Sequence, residues 1–106
     1  MVIKNPTYPL AEIKADVANP TTRLISRTAR KDSVCLGMNE NDIVSVVQDL
    51  SSSNFIKTMI GKDDPRIMHD VYKYSWRGIR LYLKFIRNHG ATNIMVVSCK
   101  EDTSHV

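Results

Sequence analysis

The alternation of apolar and polar residues late in the chain constrains the fold more than any other feature. Apolar residues occupy every second position from Ile79 to Phe85, and Arg80, Tyr82 and Lys84 fill the positions between them. This period of two predicts a β-strand with one face on a core and the other in water. Such a strand needs partners in a sheet and a second layer that covers its apolar face.

The first half of the chain follows a helical period instead, and we predict three helices there. The first follows Pro9 and ends before Asn19, and the second is capped by Ser26 and stops at Gly37. The third begins at Asn39, which an acidic residue follows three positions later, as in a capping box. Helices followed by strands predict an α+β fold, in which N-terminal helices pack on an antiparallel β-sheet formed mainly by the C-terminal half.

Length and composition limit the kinds of protein that this chain can be. Its 106 residues predict one domain, with residues 1–8 and 102–106 expected to be loose termini. Cys35 and Cys99 stand far apart without clustered histidines, so we expect no metal site and no cofactor. No apolar run approaches a membrane span and no signal peptide is evident, which predicts a cytoplasmic protein without a membrane partner. The net charge of +4 favours an anionic partner.

Basic and aromatic side chains that suit phosphodiester chemistry lie along the predicted strands. Lys57 and Lys100 carry positive charge, Tyr82 lies on the solvent-facing side of its strand, and His69 has an ordinary pKa near 6.5 that suits proton transfer. Each also has a plain structural explanation. Exposed lysines are usually solvated, and an exposed aromatic residue often fills a cross-strand pair. The residue types alone therefore nominate these four residues without deciding their role.

The geometry of one hairpin decides whether His69 and Tyr82 lie together. A tight two-residue turn at Arg77 and Gly78 pairs Tyr82 with Lys73 and leaves His69 on the same face, about 13 Å away. A longer loop places the two residues nearly opposite each other. A slip of one residue puts them on different faces. The sequence leaves these three registers open.

Four short motifs in the second half carry a resemblance to a known family. They are Leu50-Ser51 with Phe55-x-Lys57-x-Met59, Ile67-x-x-Asp70-Val71-Tyr72, Gly78 with Tyr82-Leu83-Lys84, and Val97-Ser98-x-Lys100-Glu101. In this order and spacing, from about Leu36 to Glu101, they resemble the MqsR family of bacterial toxins. Those toxins are the mRNA interferases of type II toxin–antitoxin systems.

The resemblance implies a RelE-like fold and a metal-independent, ribosome-independent endoribonuclease. Its substrate would be single-stranded mRNA, cut at short GCU-like sequences, with inhibition of translation and growth as the result. Its partner would be a DNA-binding antitoxin, and operator DNA would be reached only through that antitoxin. The family's catalytic positions fall on Lys57, His69, Tyr82 and Lys100, with His69 standing where glutamine is usual.

Attack by the RNA's own 2′-hydroxyl assigns a task to each of these residues. Lys57 and Lys100 are expected to stabilise the phosphoryl oxygens, and His69 to transfer a proton, with Tyr82 orienting the phosphate or acting as the acid. Further RNA contacts are expected from Lys73, Arg77 and Arg80. Two alternatives remain, a ribosome-dependent RelE-type nuclease and a non-catalytic RNA-binding module.

Overall fold

A computed structural model describes residues 2–103, and this part of the chain contains three α-helices and one six-stranded sheet. The helices are α1 (Leu10–Ala18), α2 (Arg27–Cys35) and α3 (Glu40–Asp49), and a short 3₁₀ turn follows at Ser52–Asn54. The strands are β1 (Val2–Ile3), β2 (Leu24–Ile25), β3 (Phe55–Ile60), β4 (Met68–Trp76), β5 (Ile79–Ile86) and β6 (Met95–Glu101). The predicted α+β class is confirmed, with the four long strands in the C-terminal half.

The strand order across the sheet is β1-β3-β4-β5-β6-β2. The four long strands pair antiparallel, as predicted, but β2 pairs parallel with β6, so the sheet is mixed. Both outer strands have only two residues. The sequence could not reveal these strands as sheet members, because two residues are too few to show a period.

The three predicted helices are all present, and local hydrogen bonds explain where two of them begin. The side chain of Asn39 accepts a 2.9 Å hydrogen bond from the Asp42 N–H, and the Asp42 carboxylate accepts one of 2.9 Å from the Asn39 N–H. This completes the predicted capping box. The Ser26 hydroxyl accepts a 3.0 Å bond from the Ala29 N–H at the start of α2. Gly37, with φ of +80°, follows the end of that helix.

The core lies between the helices and one face of the sheet. Ile13 of α1 and Val47 of α3 are fully buried there, as are the alternate residues Leu81, Leu83 and Phe85 of β5. The predicted division of β5 into an apolar and a polar face is therefore confirmed. The other face of the sheet, which we call the open face, does not contribute to this core. No helix within residues 2–103 is long and apolar enough to cross a membrane.

Residues 2–8 are held in place, contrary to the expectation of a loose terminus at residues 1–8, of which Met1 lies outside the described part of the chain. β1 pairs with β3, and the buried carboxylate of Asp70 accepts hydrogen bonds of 2.9 to 3.0 Å from the N–H groups of Thr7 and Tyr8. The Tyr8 hydroxyl donates a 2.7 Å bond to the Met68 carbonyl. The anchor lies about 60 residues further along the chain, which is why local sequence gave no sign of it.

The opposite end of the chain is only partly as expected. Asp102 was predicted to belong to the loose segment 102–106, but its side chain is only 4% exposed and lies within ion-pair distance of Lys73 and Arg80. Its N–H donates a 2.7 Å hydrogen bond to the Arg80 carbonyl. Residues 104–106 lie outside the described part of the chain.

Candidate functional site

The hairpin between β4 and β5 has the tightest of the three registers considered. Arg77 and Gly78 form its two-residue turn, with φ of 48° and 80°. Positive φ at both central positions is the signature of a type I′ turn, whose twist matches that of the flanking strands. The turn pairs Trp76 with Ile79 and, further along, Lys73 with Tyr82. The longer loop and the slipped register are thereby excluded.

This register arranges the central side chains of the open face in three rows across the strands. The first row contains Lys73, Tyr82 and Lys100; the second contains Lys57, Val71, Lys84 and Ser98; the third contains Met59 and His69. Successive rows are two residues apart, or about 6.6 Å along the strand. The first and third rows are thus about 13 Å apart.

All four predicted catalytic residues lie on the open face, but they do not form one tight cluster. Tyr82 and Lys100 are cross-strand neighbours in the first row. Lys57 lies in the second row on β3, and His69 lies in the third row on β4. The structure therefore separates Tyr82 from His69 along the strand direction, with one row of side chains between them.

Lys84 occupies the centre of this arrangement, although its place in the sequence predicts no catalytic role for it. Its Nζ lies 5.7 Å from the centre of the Tyr82 ring, and Lys100 Nζ lies 5.5 Å from the same ring. Burial lowers the pKa of Lys84, and repulsion by Lys100 and Lys57 lowers it further. In the sequence, Lys84 could have been recognised by its position two residues after Tyr82, on the same face of the same strand.

An apolar floor lies beneath the lysines of the second row. Val71 pairs with Lys57 on one side and Lys84 on the other, and it is 0% exposed although it lies on the face without helices. The adjacent Lys84 is itself half-buried, so its charge is less screened than on an ordinary protein surface, which strengthens its interaction with an anion.

The environments of His69 and Tyr82 favour opposite protonation tasks. Burial lowers the pKa of His69, and the positive charge of Lys84 lowers it further. The negative charge of Asp63 raises it by less, so the net change is downward. His69 is therefore neutral at neutral pH and able to accept a proton. Burial raises the pKa of Tyr82, with a smaller contribution from Asp102, so this hydroxyl keeps its proton and can donate it.

The three predicted RNA contacts have different surroundings. Lys73 Nζ lies 3.0 Å and Arg80 Nε lies 3.4 Å from the same carboxylate oxygen of Asp102. The side chain of Lys73 is 13% exposed and that of Arg80 is 60% exposed, so Arg80 is the more accessible to a ligand. Arg77 lies at the tip of the hairpin, where its guanidinium carbon is 4.8 Å from the centre of the Trp76 ring. Arg77 is therefore remote from the three rows.

Two hollows flank the middle row. One, of about 390 Å³, is lined by His69 and Lys84 together with the loop after β3. The other, of about 300 Å³, is lined by Tyr82 and Lys100 together with residues 101–103. Within residues 2–103, no group of three His, Cys, Asp or Glu side chains is placed to hold a metal ion. The open face thus offers cations, a proton acceptor and a proton donor around a shallow surface.

Comparison with known proteins identifies the family to which the chain that carries this surface belongs. The family described as "Motility quorum-sensing regulator, toxin of MqsA" matches residues 5–101, which is nearly the whole chain. No individual curated protein matches the sequence significantly. The match includes all four motifs and all three rows of the open face. The description of the family, "toxin of MqsA", implies an antitoxin partner. The chain therefore belongs to the MqsR family and is the toxin of a toxin–antitoxin system.

Proposed function

We propose that the open face is the active site of a metal-independent, ribosome-independent endoribonuclease that cuts single-stranded mRNA at short GCU-like sequences. The observation that carries this proposal is the partly buried Lys84 with Tyr82 and His69 on either side of it along the strands. Lys57 and Lys100 flank the same position across the sheet. The preference for GCU-like sequences rests on family membership alone.

The reaction is a displacement at phosphorus. The 2′-oxygen forms a bond to the adjacent phosphorus while the bond to the 5′-oxygen breaks, which leaves a 2′,3′-cyclic phosphate and a 5′-hydroxyl. His69 takes the proton of the 2′-hydroxyl, and Tyr82 gives its proton to the departing 5′-oxygen. An in-line displacement needs the base and the acid on opposite sides of the phosphorus, and these two residues stand on opposite sides of Lys84.

The lysines supply the electrostatic part of catalysis. A phosphate above Lys84 places its non-bridging oxygens between Lys57 and Lys100, which oppose the charge that grows in the transition state. Because Lys84 is partly buried, its charge acts at a lower effective dielectric constant than in water. Removal of one such group commonly costs about 100-fold or more in rate.

This activity accounts for toxicity and for the partners expected of the system. Cleavage of mRNA stops translation and growth, so the protein would act in the cytoplasm and would be restrained by its antitoxin. We propose that the antitoxin is the DNA-binding component and that this chain reaches operator DNA only through it. Arg80 and Lys73 are then the candidate contacts for phosphates that flank the cut, and Arg77 a more remote one.

The test is incubation of the purified protein with a long single-stranded RNA in EDTA, with the fragment ends mapped. We expect cuts at a few recurring sequences, at least about 100-fold slower in Lys57→Ala and Tyr82→Phe proteins. Lys31→Ala, which removes an exposed lysine of α2, is the matched control and should cut normally. DNA of the same sequence should stay intact, because it lacks the 2′-hydroxyl.

Two results would contradict the proposal in different ways. RNA that is bound but never cut rules out the ribosome-independent enzyme. The same RNA in a translating extract then separates the alternatives, since a ribosome-dependent nuclease cuts it there and a binding module does not. Cleavage that both variants retain in full would rule out the assigned site.

A further inference from the structure

We propose that the hollow at the His69 end of the open face binds one unpaired nucleobase of the RNA, next to the phosphate that is cut. This inference rests on the proposed function and adds a specificity site to it. The hollow measures about 390 Å³ and opens beside Lys84. Its volume is within the range of small-molecule sites in proteins and can accept a single base.

The walls of the hollow suit the flat faces of a base. Met59, Ile67 and Ile86 line it with apolar side chains from β3, the loop and β5. A base in single-stranded RNA exposes both of its faces to water, so enclosure between apolar walls removes that surface from water. Proteins that recognise RNA sequence bind such splayed-out bases.

Polar groups around the hollow suit the edge of a base. Asp63 offers a carboxylate that accepts hydrogen bonds, Lys84 offers an ammonium that donates them, and neutral His69 can do either. Every base edge carries donors and acceptors in a fixed pattern, so these groups can distinguish one base from another. Lys84 also belongs to the middle row, which links a base in the hollow to a phosphate at the centre of the open face.

The loop that forms the hollow is closed by its own hydrogen bonds. The Gly61 N–H donates a 2.9 Å bond to the Ile67 carbonyl, and the Ile67 N–H donates one of 3.0 Å to the Asp64 carbonyl. The Asp64 carboxylate in turn accepts a 3.0 Å bond from Arg66 Nε. The loop wall of the hollow is therefore held in place by its own hydrogen bonds. Most ligand sites in proteins are likewise formed before the ligand binds.

Gly61 is required for this closure. A Cβ at that position would lie 2.5 Å from the Asp64 carbonyl oxygen and 2.8 Å from the Ile67 carbonyl oxygen, and 3.3 Å from His69 Nε2. Both carbonyl contacts are shorter than any ordinary approach of a carbon atom. A side chain at residue 61 would therefore push the loop away from His69 and open the hollow.

The test measures binding without cleavage. The probes are four 2′-O-methyl RNA hexamers that differ in one central base and cannot be cut, because their 2′-oxygens are blocked. We expect the wild-type protein to bind one of the four about tenfold more tightly than the weakest, as one recognised base commonly allows. Ile67→Trp, which fills the hollow, should bind all four equally. Val34→Trp, at a position of α2 that is 68% exposed, is the matched control and should discriminate normally.

A second variant covers the case in which Ile67→Trp does not fold. Asp63 is exposed, so Asp63→Asn leaves packing intact and changes only the edge that a base meets. We expect it to alter the ratio of the four affinities by threefold or more. An unaltered ratio, equal binding of all four hexamers by the wild type, or discrimination that survives in folded Ile67→Trp would each overturn the proposal.

The outcome for the hollow is separate from the outcome for the nuclease. A protein that discriminates the hexamers but cuts no RNA has the base site and lacks the proposed activity. A protein that cuts RNA at recurring sequences, with the same sequences cut by Ile67→Trp, has the activity and lacks this base site.

Discussion

The surroundings of Lys84 disfavour its positive charge in the free protein. It is partly buried, and two further lysines lie close enough to lower its pKa. The positive charges of Lys57, Lys84 and Lys100 repel one another, and no carboxylate pairs with Lys84 among the described residues. A phosphate bound at the proposed site would relieve that repulsion. The centre of the open face is therefore prepared for an anion at some cost to the free protein.

Replacement of Lys84 tests this view at the scale of a single residue. Lys84→Met keeps most of the length of the side chain and removes its charge, so we expect kcat/KM on single-stranded RNA to fall by about 100-fold or more. Folding stability should not decrease, because a repulsive charge is lost. Steady-state cleavage rates and thermal unfolding measure the two effects. Lys31→Met is the control, and a Lys84→Met activity within threefold of wild type would contradict the assignment.

The lowered pKa of His69 predicts a pH dependence with a definite sign. Below its pKa the imidazole is protonated and cannot accept the 2′-hydroxyl proton, so activity is lost as pH falls. Because burial and the charge of Lys84 move this pKa below 6.5, kcat/KM should rise with pH and reach half of its plateau value below pH 6.5. His69→Gln should retain a low rate without this acidic limb. An unchanged limb in His69→Gln would show that another group titrates.

At the scale of elements, β4 combines a part of the site with an anchor for the N-terminus. His69 faces the open side, whereas the next residue, Asp70, is 0% exposed and faces the other way. Its carboxylate binds the N–H groups of Thr7 and Tyr8, and the Thr58 hydroxyl lies 2.6 Å from its Oδ1. One strand thus carries a candidate catalytic residue on one face and an anchor of the fold on the other.

The contribution of this anchor to stability can be measured with Asp70→Asn. The amide has nearly the same shape, but it carries no charge. Its NH2 group would also face the N–H groups of Thr7 and Tyr8, which are themselves hydrogen-bond donors. We expect the free energy of unfolding to fall by about 2 kcal/mol, the usual value of a hydrogen bond to a buried charge. The midpoint of urea unfolding measures the change. Asp32→Asn in α2 should shift it little, and an equally small shift for Asp70→Asn would contradict the anchor.

The elements also show which features could be predicted from the sequence. α3 and β5 were predictable, because each has enough residues to display a period and α3 carries its own capping box. β1 and β2 were not, since a two-residue strand has no period and its pairing is decided by distant residues. The hairpin register also depended on Arg77, a residue type that rarely adopts the positive φ it has here.

At the candidate site, the sequence could nominate four residues but neither their arrangement nor Lys84. Lys57, His69, Tyr82 and Lys100 were nominated from residue type and motif, and the strand pattern predicted the polar face of Tyr82. Their arrangement in rows needed the register, which the sequence left open. Lys84 was missed because a lysine that alternates with apolar residues normally points to solvent. Only the neighbouring strands bring the other two lysines to it.

At the scale of the whole molecule, the helices and the candidate site occupy opposite sides of the sheet. The core-packed α1 and α3 contribute buried apolar residues, and the open face carries lysines from four different strands. The net charge of +4 is modest, so its placement matters more than its size. RNA binding should therefore depend on a few phosphate contacts at this face.

Salt dependence measures those contacts. For single-stranded RNA, the logarithm of the binding constant falls by about 0.7 per neutralised phosphate for each tenfold rise in salt. We expect the double variant Lys57→Met, Lys100→Met to reduce the slope by about 1.4 with an uncleavable 2′-O-methyl RNA. The control pair Lys14→Met, Lys31→Met lies on α1 and α2 and should leave the slope unchanged. Equal slopes for both pairs would place the RNA elsewhere.

The position of Asp70 beside His69 has a consequence for genetics. Cells that survive expression of this toxin carry mutations that disarm it, and such a selection does not distinguish lost chemistry from lost protein. Asp70 should therefore recur among the survivors' mutations together with the residues of the open face. The two groups will separate by abundance on an immunoblot, because the Asp70 mutants should be degraded while the open-face mutants accumulate.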